Sequence, residues 1–63
     1  MCLSTVYKNE KQEQNIVMRN VMRIECNEGQ VVLTDLMDRS VAIEGELVSA
    51  NLVDGFVIVK ETA

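Results

Sequence analysis

The constraint that most narrows the fold is a dense set of β-branched residues with no helical period to arrange them. Around Leu33 stand Val31, Val32, Thr34, Val41 and Ile43, and no run of helical length repeats every 3.6 residues. Strands are therefore expected. Glycine punctuates the apolar runs at "NEG", Asn27 to Gly29, and "DG", Asp54 and Gly55, where hairpin turns need a backbone with positive φ. Strands are predicted at Cys2 to Lys8, Ile16 to Arg19, Val21 to Cys26, Gln30 to Asp35, Ser40 to Glu44, Leu47 to Asn51 and Phe56 to Lys60. The second and third read alternatively as one strand bent near Asn20, and Gly45 marks a further bend or bulge. The fold class is all-β, a small antiparallel β-barrel of six or seven short strands.

The predicted strands differ in how they are covered. Met22, Ile24 and Cys26 alternate with Arg23, Glu25 and Asn27, the pattern of a half-buried strand in which Cys26 packs as a small apolar residue. In the last strand Phe56 and Ile58 on one side match Val57 and Val59 on the other, so both faces need a cover. A barrel closing on itself supplies one, and a second copy of the chain supplies another.

Size sharpens this point. The 63 residues make one domain, residues 1–63, and a domain that small buries only about 60% of its unfolded surface. Chains in this range gain stability from disulfides, metals or partner subunits. A homodimer is expected, joined through the N-terminal strand or the two-sided last strand.

Charge and residue inventory exclude several functions. The formal charge is −4, with the six Lys and Arg scattered along the chain, which disfavours nucleic-acid phosphates and favours a cationic guest such as a metal ion. There is no histidine, so triads, imidazole acid–base chemistry and imidazole metal sites are absent together. No glycine-rich phosphate loop or C-x-x-C pair occurs. Asp35, Asp38, Glu44 and Glu46 could in principle flank a cleft as an acid–base pair, but they read as solvated turn and strand-end carboxylates; an enzyme is not expected. Met18, Met22 and Met37 read as gap-fillers before they read as a thioether copper site. No apolar run is long enough to span a bilayer, and "KNEKQEQN" after the first strand offers no secretory h-region. A cytoplasmic location is expected, where Cys2 and Cys26 are free thiols or metal ligands.

Cys2 follows the initiator methionine in "MCLSTVY". It is either a small apolar residue opening a strand or a ligand. With Met1 removed, its amine and thiol close a five-membered chelate on a metal, and two chains about a two-fold axis bring two N,S pairs together. That donor set suits nickel(II) or copper(II) over magnesium or calcium. Both donors must lose a proton, so affinity depends on pH near neutrality.

"MCLSTVY", the polar loop after it, "VMRIECNEGQVVLTDL" and "ANLVDGFVIV" resemble the CooT family of small nickel-binding proteins along nearly the whole chain. The resemblance implies an all-β homodimer that binds Ni(II) through Cys2 at or near the dimer interface. It implies an accessory role in nickel delivery, with carbon monoxide dehydrogenase as the client. Members of the family also carry the label of predicted RNA-binding proteins, which the acidic charge and the two aromatics, Tyr7 and Phe56, do not favour. An RNA-binding or protein-interaction module without a metal is the alternative function.

Overall fold

The structure is a computed structural model describing residues 3–62. It contains β1 (Ser4–Lys8), a 3-10 turn (Glu13–Asn15), β2 (Ile16–Asn27), β3 (Gln30–Asp35), β4 (Ser40–Asn51) and β5 (Phe56–Glu61). All regular structure apart from that turn is β, as the composition predicts. The expected six or seven short strands are five, because two pairs of predicted strands are each one continuous strand of 12 residues. Asn20 takes a left-handed φ of 56° without ending β2, the single strand read as an alternative there, and β4 continues through Gly45.

These two long strands close the sheet. β2 pairs with β1 through Ile16 to Val21 and with β3 through Val21 to Asn27. β4 pairs with β3 through Ser40 to Glu44 and with β5 through Gly45 to Asn51. β5 then lies parallel to β1, from Thr5 opposite Phe56 to Lys8 opposite Val59. The result is a closed barrel in the order β1-β2-β3-β4-β5. Each long strand changes neighbours halfway, which lets so few strands complete a ring.

Gly45 sits where β4 leaves β3 for β5. Its N–H donates to the Gly29 carbonyl at 2.9 Å, and a Cβ on it would stand 2.9 Å from the Lys60 carbonyl carbon and 3.0 Å from Glu61 Cα. Close backbone approach is what requires glycine here. The hairpin glycines behave as their motifs predict: φ is 77° at Gly29 and 76° at Gly55.

The barrel interior holds Val6, Val21, Val31, Leu33, Ile43, Val57 and Val59. Five of these seven are valine, which suits the narrow lumen of a five-stranded ring. Val17, Met18 and Ile24 pack against them from the margin. Both faces of β5 are covered, as its sequence requires. Val57 and Val59 point inward, while outside, Tyr7 meets the Phe56 ring edge-on at 6.3 Å and Lys11 Nζ lies 4.4 Å over it. The chain's own loop thus covers Phe56.

Cys26 departs from expectation. It is opposite the buried Val31 yet is itself exposed. Among the described residues β1 pairs with β2 no further than Val21, so the second half of β2 has a neighbour only in β3. Met22 is exposed as well, at the register shift between Val21 and Arg23. Of the predicted buried triad, only Ile24 reaches the core.

Candidate functional site

Cys2 lies outside the described residues, and the structure bears on it through Leu3 and what surrounds that residue. Thr5 N–H donates to the Gly55 carbonyl at 3.0 Å, and a Cβ on Gly55 would stand 3.6 Å from the Leu3 carbonyl oxygen. The start of β1 is thereby held against the β4–β5 turn. That turn is braced from within, since Asn51 Oδ1 accepts from Asp54 N–H at 2.9 Å and Asn51 Nδ2 donates to Asp54 Oδ2 at 3.0 Å. At its tip Leu52 and Val53 are 68% and 96% exposed. Two aliphatic side chains are thus offered to solvent on the turn whose Gly55 meets Leu3 and Thr5.

Elsewhere the predicted donors do not assemble. Among the described residues no three Cys, Asp or Glu side chains come together to hold a metal ion. Met18 packs at the core margin, whereas Met22 and Met37 are exposed on a strand and a turn. Cys2, the remaining sulfur candidate, lies outside the residues so compared. One soft thiolate with nitrogen donors fits nickel(II) by its chemistry.

The four carboxylate candidates separate as well. Asp35 is 4% exposed, and both of its oxygens are engaged. Oδ1 accepts from the N–H groups of Met37 and Arg39, each at 2.9 Å, and Oδ2 accepts from Arg39 Nε at 2.9 Å. The Arg39 N–H lowers the Asp35 pKa below its ordinary 3.8, helped by the guanidinium and Met37 N–H and opposed by burial. This carboxylate is a turn brace. Asp38, Glu44 and Glu46 are exposed; Asp38 meets Asp35 only through its backbone N–H, which donates to the Asp35 carbonyl at 2.9 Å.

A second feature could not be read from the sequence. A groove of about 600 Å³ runs between Ile16 to Asn20 on one wall and Arg39 to Val41 on the other, with Asp35 between them. Arg19 and Arg39 are distant in the chain, and only the strand register brings them to one opening. Lys8 and Arg23 instead pair with Glu61 and Glu25 at 3.7 and 3.6 Å. No helix of the described residues is long and apolar enough to cross a membrane.

Comparison with known proteins agrees with this architecture. A crystal structure assigned as CooT from Carboxydothermus hydrogenoformans superposes with a TM-score of 0.84, covering 98% of this chain and 100% of that one at 16% identity. At that identity the likeness concerns the fold. None of the curated proteins matches the chain. The family described as CO dehydrogenase accessory protein CooT matches residues 1–60, strands and Met-Cys start included, and the chain belongs to that family.

Proposed function

We propose that this protein is a cytoplasmic nickel-binding accessory protein that holds the ion through Cys2 at a homodimer interface and serves a carbon monoxide dehydrogenase. The observation that carries the reading is the family match, which spans the N-terminal cysteine and names a CO dehydrogenase accessory protein. The β4–β5 turn supports it: Leu52 and Val53 lie exposed on the turn that meets the start of β1, where a second copy would cover them and bring two Cys2 residues near one axis.

The chemistry follows from the donors. A Cys2 thiolate with the terminal amine or an adjacent backbone nitrogen supplies a soft, flat donor set. Each donor must be deprotonated, and the reference pKa values of about 8 and 8.5 make uptake rise with pH through neutrality. Nickel here is cargo. The protein's own task is to present the thiolates and exclude competing hard cations.

RNA binding has less support. The chain carries −4, and Tyr7 and Phe56 pack edge to face, with Lys11 on the Phe56 ring, rather than offering stacking platforms.

The test is nickel titration of protein with its natural N-terminus, beside Cys2→Ser, followed by thiolate-to-nickel charge-transfer absorption and sedimentation. One ion per dimer, lost in Cys2→Ser, is the expected result. Undiminished nickel uptake in Cys2→Ser, or a monomer at micromolar concentration, would overturn the reading.

A further inference from the structure

Each long strand has half-strands with a neighbour on only one side, and one of them borders a groove. β2 pairs with β1 through Ile16 and Met18, but its pairing with β3 begins at Val21. Among the described residues, nothing pairs with Ile16 to Arg19 on the β3-facing side. The last bond there is the Leu36 N–H donating to the Asn20 carbonyl at 2.9 Å, and the left-handed Asn20 then turns the strand. Natural edges are blunted by proline, charged side chains, bulges or a cover; the stretch Ile16 to Arg19 has no proline, carries one charge, at Arg19, and is bulged on its β1 side.

This edge opens on the groove, and the groove's charge opposes that of the molecule. Its lining holds Arg19, Arg39 and Asp35, a formal +1 on a chain of −4. Among the described residues Arg19 makes no ion pair. Arg39 gives Asp35 only its Nε, and its side chain is 75% exposed, so the rest of the guanidinium remains available. Val17 and Val41 supply apolar surface between these charges. Edge amides give a guest strand affinity, and the flanking side chains select its sequence.

We propose that Ile16 to Arg19 forms a strand-addition site for an extended acidic segment of a partner protein, whose carboxylates meet Arg19 and Arg39. A second copy of this chain is the poorer occupant, because symmetrical pairing of two such edges lays both Arg19 residues on one short stretch. The site needs no metal and stands independently of the nickel reading.

The experiment uses the full chain and a fluorescein-labelled, end-blocked peptide alternating glutamate with valine, read by anisotropy at low salt. Saturable binding is expected, weakened about tenfold or more by Arg19→Glu and retained by Arg19→Lys. The same peptide N-methylated at alternate residues keeps its charge but loses its edge donors, and its binding disappears. Lys60→Glu, an exposed change outside the groove lining, leaves affinity unaltered. Equal binding of the N-methylated peptide, indifference to Arg19→Glu, equal binding of a lysine–valine peptide, or no binding at all overturns the proposal. So does a change of oligomeric state in Arg19→Glu, which would assign the edge to a second copy.

Discussion

Gly45 and Lys60 meet backbone to backbone, with no room between them for a side chain: a Cβ on Gly45 would stand 2.9 Å from the Lys60 carbonyl carbon. Gly45→Ala must push β5 away at the point where β4 changes partners, and should cost about 3 kcal/mol. Gly29→Ala meets nothing within 4 Å but keeps a φ of 77°, and should cost about 1 kcal/mol. Urea midpoints for the two variants check that order. Equal midpoints would contradict the close approach.

The Asp35 brace predicts a response to acid. Its folded pKa lies below the unfolded 3.8, so its contribution is complete above that value and is lost as pH falls through the folded pKa. Asp35→Asn removes this dependence and loses the Arg39 ion pair. Thermal melts between neutral pH and about pH 2 should show a shallower acid slope in the variant. An identical slope would mean that other carboxylates set the acid limb.

Leu33 is fully buried, and its truncation to alanine should cost about 3 kcal/mol. A chain of this length has roughly 3 to 9 kcal/mol in total. Leu33→Ala therefore loses between about a third and all of its stability, and its unfolding midpoint should rise with protein concentration if dimerisation is coupled to folding. Circular dichroism across a concentration series reads this directly.

Cys26 is exposed and remote in the chain from Cys2. It should react with a thiol reagent in the native protein at close to the rate of a free thiol. Cys26→Ser should leave nickel stoichiometry intact and stability within about 0.5 kcal/mol. Loss of nickel binding in Cys26→Ser would place a second sulfur in the site.

The Tyr7–Phe56–Lys11 cluster should contribute modestly. Phe56→Leu is expected to cost about 1 kcal/mol for the lost edge-to-face contact, and Lys11→Ala about 0.5 kcal/mol. In the double variant the Lys11 effect should vanish, because the cation then has no ring to sit on.

Local signals carried the fold class. β-branched density and the glycines at 29 and 55 are short-range information, and they placed every strand to within a few residues. Continuity was half legible: one strand through Asn20 was among the readings and is what forms, whereas at Gly45 two strands were expected and β4 instead continues while changing its neighbour from β3 to β5. The exposure of Cys26 was hidden, since alternation specifies a face but not how far the neighbouring strand extends. Cys2 was legible only through its position behind Met1 and the family resemblance. The Arg19–Arg39 groove was illegible, because scattered arginines become neighbours only through register.

The parallel seam between β1 and β5 ties the two ends of the chain into one act of closure. During synthesis the opening strand waits with half its ladder unfilled until Phe56 to Lys60 have emerged, so early intermediates resemble an open ribbon. Folding should then be slow for so short a polypeptide and nearly all-or-none. Deleting either terminal strand would dismantle the whole cylinder, where in a linear meander it would only trim an edge.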